Sequence, residues 1–453
     1  MRLYALPIAV GVIVAVLLAG QGGRRNQPIP NGMTLALGRP TDRSITLSVL
    51  APTDLEAYAE YGTAPGQYPE QTFMTQRAAG STFTFGVQGD SHPERDGEMF
   101  DAELYARTVE RVREERPDFY VMLGDDFSIE HLIGRGSVSQ ASVDQVYARQ
   151  RAYLGPLTAS TPLFLVNGNH EEAARFLFDG TANNPAVFAG RARTEFFPLP
   201  APDGFYTGDA EPVAHIGLLR DYYAWTWGDA LFVVIDPYWH SPVQVDADPG
   251  GQGGAASGRQ ADGKQNAARA AGRNRDLWAV TIGDEQYAWL KRTLEISRAQ
   301  YKFVFAHHVM GTGRGAVEEA DLYEWGGKDR RGSDLFREKR PGWELPIHQL
   351  MVRTGVTIFF QGHDHLFAHQ QKDGVVYQET PNPADASYTA FNQDAYRSGD
   401  ILPNAGHLRV TVSPANVRVE YVRSYLPKDE TPQRKDGEVA FSYTVPARAS
   451  GVQ

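Results

Sequence analysis

Short apolar runs alternate with amphipathic segments along the middle of the chain, and this alternation predicts most of the secondary structure. The apolar runs predict β-strands at residues 82–88, 119–123, 163–166, 231–235, 303–306 and 356–360. Segments 98–116 and 284–299 carry apolar residues at spacings of three and four, which predicts amphipathic helices. Two further runs, 407–412 and 416–422, predict a closing hairpin. Strands that alternate with helices are typical of an α/β domain, here over residues 80–427.

Period-two alternation also occurs before this domain. It predicts strands at residues 33–37, 44–50 and 57–62, and we interpret residues 30–78 as a small β module. A complete immunoglobulin-like sandwich needs about 100 residues. The module is therefore either incomplete or packed against the neighbouring domain.

Three other segments differ in composition. Residues 1–22 contain one early charge, Arg2, and then a long apolar run, which predicts a signal peptide or a membrane anchor over residues 3–20. We therefore expect an extracytoplasmic protein, either periplasmic or secreted, with possible membrane attachment through this segment. Residues 244–275 predict a flexible surface insertion, because they are rich in glycine, alanine and glutamine, and residues 428–453 predict a polar tail.

Charge and cysteine content narrow the range of functions. The 453 residues carry a net charge of -11, which argues against a nucleic-acid-binding surface because such surfaces are normally basic. The chain has no cysteine, so disulfides and thiolate chemistry are excluded. Any metal must be bound through histidine, carboxylate, amide or backbone oxygen, a ligand set that suits Zn, Mn, Fe or Co.

Polar residues follow five of the predicted strands at the point where each strand ends. The five segments read GDSH at 89–92, GDD at 124–126, NGNHE at 167–171, AHH at 306–308 and GHDH at 362–365. Together they hold six of the 12 histidines. Ligands collect outside the carboxyl ends of strands in open α/β sheets, so we expect the five segments to form one metal site.

This ordered series resembles the calcineurin-like metallophosphoesterase superfamily. The resemblance covers residues 89–365 and implies a two-sheet β sandwich flanked by helices, with two divalent or trivalent metal ions at the strand ends. It implies that the first ion is held by Asp90, His92 and His365. It implies that the second ion is held by Asn169, His307 and His363, and that Asp125 bridges the two. His170 would lie beside the phosphate as a hydrogen-bond donor or general acid.

Two departures from related groups refine this resemblance. Purple acid phosphatases have a tyrosine three residues after the bridging aspartate, where this chain has Ser128, and their first motif lacks a histidine like His92. We therefore predict a non-purple metal pair of undetermined identity. The β segment before the domain resembles a truncated form of the fibronectin-like module that precedes some exported phosphatases.

Four neighbouring residues are candidates for substrate binding. Asp126 is a candidate for orienting His170, with solvation in a loop as the alternative. His308 is a candidate substrate contact, with a merely adjacent position as the alternative. Arg314 and Trp325 lie in glycine-rich loops between the last two histidine segments, where specificity residues often occur. For Trp325 the alternative is packing into the domain surface.

The resemblance implies a metal-dependent hydrolase of phosphate esters, a dinuclear metallophosphoesterase. In-line attack by a metal-bridging hydroxide would be assisted by His170. The leading hypothesis is a phosphomonoesterase that acts on a small-molecule substrate, not on nucleic acid. The alternatives are a phosphodiesterase or nucleotide-sugar hydrolase of the same fold, and a binding module that has lost catalysis.

Overall fold

The computed structural model describes residues 33–51, 71–245, 276–309 and 313–448, together with the backbone of residues 13–18 and 57–62. Almost all of the predicted insertion 244–275 and most of the predicted leader 1–22 lie outside the described residues. Among the residues described, no helix combines the length and the apolar character needed to cross a membrane.

The strands and helices follow one another in the alternating order that the apolar runs predict. The strands are β1 (Ile13–Leu18), β2 (Thr34–Gly38), β3 (Thr46–Leu50), β4 (Ala57–Gly62), β5 (Gln71–Thr72), β6 (Phe83–Gln88), β7 (Phe119–Met122), β8 (Leu163–Leu165), β9 (Thr207–Gly208), β10 (Pro212–Val213), β11 (Gly217–Leu218), β12 (Tyr223–Trp227), β13 (Ala230–Val234), β14 (Tyr301–Phe305), β15 (Ile358–Gln361), β16 (Phe367–Lys372), β17 (Val375–Glu379), β18 (Asp400–Leu402), β19 (Gly406–Val412), β20 (Asn416–Arg423) and β21 (Val439–Pro446). The α-helices are α1 (Ala102–Glu115), α2 (Glu130–Gly134), α3 (Gln140–Thr158), α4 (Pro185–Phe196), α5 (Gly283–Ile296), α6 (Tyr323–Gly326), α7 (Phe336–Lys339) and α8 (Ile347–Thr354).

Two mixed sheets of eight strands each form the body of the described chain. Sheet I has the order β18-β16-β17-β15-β14-β13-β12-β9, and sheet II has the order β21-β20-β19-β6-β7-β8-β2-β3. Strands β13, β14 and β15 run parallel in sheet I, as β6, β7 and β8 do in sheet II. Two smaller sheets, β4-β1-β5 and β10-β11, complete the strand pairing of the described residues.

The two large sheets pack face to face through an aromatic core. Phe85 of sheet II contacts Phe232 of sheet I, with ring centroids 5.2 Å apart, and Phe360 at 6.1 Å. Helices α1, α3 and α4 cover the outer face of sheet II, while α5 and α8 cover that of sheet I. Strands covered on both faces need apolar residues at every position, which explains the unbroken runs in the sequence. The predicted two-sheet sandwich flanked by helices is therefore confirmed.

Strands β2 and β3 are built into the sandwich. Strand β2 pairs with β3 and runs parallel to β8, so both form the edge of sheet II. Arg151 on α3 fixes this edge, because its guanidinium donates to the Thr34 hydroxyl at 2.9 Å and to the Ser48 carbonyl at 3.0 Å. Residues 34–50 thus pack against the neighbouring domain, which is one of the two alternatives stated for residues 30–78, whereas β4 and β5 pair with β1 in a separate sheet.

The prediction of a polar tail after residue 427 is wrong for residues 439–446. These residues form β21, which pairs antiparallel with β20 along its length. Their apolar side chains alternate, and Phe441, Tyr443 and Val445 pack against the core between the sheets. The same alternation occurs in the sequence, but the polar residues before and after this segment outweigh it as a signal.

Candidate metal centre

The five predicted polar segments meet at one edge of the sandwich. Each follows the carboxyl end of a parallel strand: β6, β7 and β8 in sheet II, and β14 and β15 in sheet I. Glycine is required where these loops approach one another closely. A Cβ at Gly362 would lie 2.5 Å from Oδ1 of Asp90, and the backbone at Gly124 has a φ of +100°.

Asp90, His92 and His365 form the first buried group of this centre. Nε2 of His365 lies 3.0 Å from Oδ2 of Asp90, and Nε2 of His92 lies 3.7 Å from the same oxygen. The two imidazole Nε2 atoms are 3.2 Å apart. One atom from each of the three side chains lies within 4.8 Å of the others. Two imidazole nitrogens that converge on a carboxylate oxygen fit a cation with nitrogen and oxygen ligands.

Asp125, Asn169, His307 and His363 form the second group. Nε2 of His307 lies 3.1 Å from Oδ2 of Asp125, 3.0 Å from Oδ1 of Asn169 and 3.2 Å from Nδ1 of His363. His307 donates its Nδ1 proton to the carbonyl of Leu123 at 2.8 Å, so in the neutral ring Nε2 carries a lone pair. A lone pair that faces a carboxylate, an amide oxygen and another imidazole is the arrangement a metal ion would satisfy.

The two groups are joined through their aspartates. One atom each of Asp90, Asp125, His307 and His363 lies within 4.8 Å of the others, and Nε2 of His92 is 3.7 Å from Oδ2 of Asp125. Burial alone would raise the pKa of both aspartates. In their protonated form, the facing histidines, chiefly His307, instead hold the pKa of Asp90 and of Asp125 well below the usual range. Both carboxylates are therefore anionic and suited to binding a cation.

Four residues at this centre have a positive φ, a backbone conformation that residues other than glycine rarely adopt. The φ values are +50° for His92, +59° for Asp125, +78° for His363 and +53° for His365. Each such residue costs of the order of 1–3 kcal/mol and persists only when its surroundings hold it in place. The rest of the fold must therefore supply the free energy that holds these four side chains in position.

His170 lies beside the two groups and is held at three points. Its backbone N–H donates to Oδ1 of Asp125 at 2.9 Å, and its carbonyl accepts from the N–H of Ile129 at 2.9 Å. Its Nδ1 is 2.6 Å from Oε2 of Glu130. Nε2 therefore faces the centre, 3.9 Å from Oδ2 of Asp125 and 3.1 Å from Nη2 of Arg95. Glu130 and Arg95 were not among the predicted site residues.

Glu171 ties two of the five loops together. Its Oε2 accepts from the N–H groups of Asp125 at 2.9 Å and Gly168 at 2.7 Å, and its Oε1 accepts from those of Asp126 at 2.7 Å and Phe127 at 3.0 Å. Each carboxylate oxygen thus receives two backbone donors. Glu171 sets the relative position of the loops that carry Asp125 and Asn169.

Asp126 does not orient His170, because Glu130 takes that place. Its carboxylate is buried, and Oδ1 accepts from Gln88 at 2.7 Å and from the hydroxyl of Ser91. Burial raises the pKa of Asp126 well above its ordinary value, which fits a packed internal position. The prediction that Asp126 contacts substrate is therefore wrong.

The other three candidate substrate contacts have different surroundings. His308 is buried between the rings of Tyr238 and His363, at centroid distances of 6.2 and 4.7 Å. Arg314 is part-exposed and holds the last loop, donating to the carbonyl of His363 and to Oδ1 of Asp364 at 3.0 Å. Trp325 is fully buried and donates to the Tyr377 hydroxyl at 2.8 Å, so its prediction as a substrate contact is wrong.

A model of the calcineurin-like phosphoesterase family matches residues 83–367, more than half of the chain. The protein therefore belongs to the calcineurin-like phosphoesterase family. The matched region contains all five loops that form the centre. A search of curated proteins found no match.

Several solved structures are similar to this chain, and the first of the three described here supports the same fold. The structure of PhoD is similar with a TM-score of 0.53 and 15% identity, covering 97% of this chain and 88% of that one. A purple acid phosphatase from yellow lupin (Lupinus luteus) has a TM-score of 0.49 and 14% identity, covering 96% and 69%. A dimetal phosphatase from Danio rerio has a TM-score of 0.42 and 16% identity, covering 76% and 97%.

Proposed function

We propose that this protein is a phosphomonoesterase that binds two metal ions at the centre described above. The observation that carries the proposal is the convergence of seven side chains from five loops, arranged as two groups that share aspartates, with His170 beside them. Membership of the calcineurin-like phosphoesterase family supports the reaction class.

The donor set fits the proposed ions. Asp90, His92 and His365 would hold one, Asn169, His307 and His363 the other, and Asp125 would contribute to both. When bound, such ions supply Lewis-acid activation of the phosphoryl group and lower the pKa of bound water. The nitrogen and oxygen ligands suit Mn, Fe, Zn or Co.

The chain's own residues provide proton transfer and positioning. Glu130 accepts from Nδ1 of His170, which leaves Nε2 to deliver a proton to the leaving-group oxygen. The backbone N–H of His170 donates to Asp125, so the acid and the shared aspartate are held in fixed relation. We further propose that the substrate is a small phosphate ester and that the protein acts outside the cytoplasm.

The proposal is tested by metal analysis and hydrolysis with three variants. Asp125→Asn should lose both metals, because its carboxylate serves both groups. His170→Asn should keep both metals and lose turnover by about 10²–10⁴-fold, the usual contribution of a general acid. His215→Asn is the matched control, because His215 is exposed and distant in sequence from the five loops. It should retain full activity.

The substrate panel is a nitrophenyl phosphate monoester and its bis ester. Preferential hydrolysis of the monoester by metal-loaded protein supports the proposal. Preference for the diester would replace it with the phosphodiesterase hypothesis. Hydrolysis of neither ester between pH 5 and 9, with fewer than two metals per chain, would leave the non-catalytic binding module as the better explanation.

A further inference from the structure

Arg95 is a charged residue at the centre that the proposed mechanism does not use. It ends the short 3-10 helix Pro93–Arg95, directly after His92, and its backbone N–H donates to the His92 carbonyl at 2.9 Å. Its side chain is 29% exposed, so the guanidinium lies at the mouth of the buried site. Arg95 and the proposed metal ligand His92 therefore lie in the same turn of the backbone.

The guanidinium has two terminal nitrogens with weak partners. Nη1 donates to the sulfur of Met99 at 3.2 Å, and Nη2 lies 3.1 Å from Nε2 of His170. Among the described residues, the one carboxylate paired with this guanidinium is that of Glu94, whose Oε1 lies 3.3 Å from Nε of Arg95. A thioether is a weak acceptor, and an imidazole nitrogen carries no negative charge. The forked end of Arg95 is thus poorly satisfied by the protein.

His170 and Arg95 face the same space. Nε2 of His170 and Nη2 of Arg95 lie 3.1 Å apart on this side of the centre. The charged fork of Arg95 is therefore complementary to an anionic oxygen that lies beside His170. A guanidinium fork binds the oxygens of a phosphoryl group with two parallel hydrogen bonds.

We infer that Arg95 binds the non-bridging oxygens of the substrate phosphoryl group together with His170, and so selects phosphomonoesters over diesters. This inference rests on the proposed function. A monoester offers a dianionic phosphoryl group with oxygens free for both donors, whereas a diester has one charge and loses one of these oxygens to a second substituent. Arg95 is then a specificity-determining residue of the site.

The test compares Arg95→Gln and Arg95→Lys with Arg149→Gln, a control at an exposed arginine on α3. Arg95→Gln should raise KM for nitrophenyl phosphate and the inhibition constant for inorganic phosphate by about 10- to 100-fold, the loss expected for a charge-assisted pair. The bis ester should be affected much less, and two metals per chain should remain. Arg95→Lys should recover part of the loss, because it restores the charge without the fork.

Other outcomes overturn the inference. Equal losses for both esters would show that Arg95 acts only through the position of His170. A loss of metal would show that it acts through His92. If the wild-type protein hydrolyses neither ester, the proposed function is wrong, but the role of Arg95 in binding phosphate is still testable. Binding of inorganic phosphate to the metal-loaded protein, measured by calorimetry, then decides the role of Arg95, and equal affinities for wild type and Arg95→Gln would reject it.

Discussion

Replacement of Glu171 by glutamine should loosen the two loops that carry Asp125 and Asn169. Glutamine has nearly the same shape as glutamate, but it presents one oxygen and one NH₂ group. Each oxygen of Glu171 accepts two backbone N–H groups. Whichever way the amide is oriented, two of the four donors therefore face another donor.

The size of the effect follows from those two donors. A buried donor left without an acceptor costs about 1–3 kcal/mol, so the two together give about 2–6 kcal/mol. Relief of the buried charge offsets part of this, because burial and the neighbouring Asp125 raise the pKa of Glu171. We expect a loss of about 2–4 kcal/mol in the free energy of unfolding.

The measurement is urea denaturation of metal-free protein, with Glu172→Gln as the matched control. Burial raises the pKa of Glu172 to about 8, so this neighbour is largely neutral at pH 7 and already resembles glutamine. The control should lose less than about 1 kcal/mol, in the range of a mutation that removes no hydrogen bond. Equal unfolding midpoints for the two variants would refute the role assigned to Glu171. Metal titration of Glu171→Gln should also show weaker binding.

Three further predictions concern the acid, the core and the metal pair. Burial lowers the pKa of His170, but Asp125 and Glu130 raise it to about 9. Glu130→Gln should therefore move the alkaline limb of the kcat–pH profile to lower pH, and an unmoved limb would contradict this. Trp325→Phe removes the hydrogen bond to Tyr377, so it should lower the free energy of unfolding by about 1–3 kcal/mol and leave kcat/KM unchanged. A reduced kcat/KM would indicate that Trp325 contacts substrate. The metal-loaded protein should lack an intense visible absorption band, because Ser128 stands where purple acid phosphatases have tyrosine, and a purple protein would contradict this.

The loops of the centre were predictable because each carries its own local signal. A buried strand reads as an apolar run, and the polar residues that follow it mark the sheet edge. Helix boundaries were less accurate. The helix predicted from residue 98 begins at Ala102, because the carboxylate of Asp101 accepts from the N–H of Leu104 at 3.0 Å and caps it there.

Contacts between distant parts of the chain could not be predicted in this way. Asp126 is the last residue of the GDD segment and Glu130 is the first residue of α2, and only the path of the loop between them decides that Glu130 reaches His170. The glycines beside Trp325 are typical of a binding loop, but Trp325 lies in the short helix α6 and bonds Tyr377 of β17 in the core. Neither pairing has a pattern in the sequence around it.

The position of the centre between the two sheets has a consequence for how the protein folds. Asp90, His92, Asp125 and Asn169 follow strands of sheet II, whereas His307, His363 and His365 follow strands of sheet I. Each proposed metal ion would take ligands from both sheets, so neither complete site can exist before the sheets dock. Metal ions would then bind only after the two sheets have docked. Their binding would raise the free energy of unfolding in proportion to the logarithm of the free metal concentration. Chelation should accordingly loosen the contact between the sheets before it affects either sheet alone.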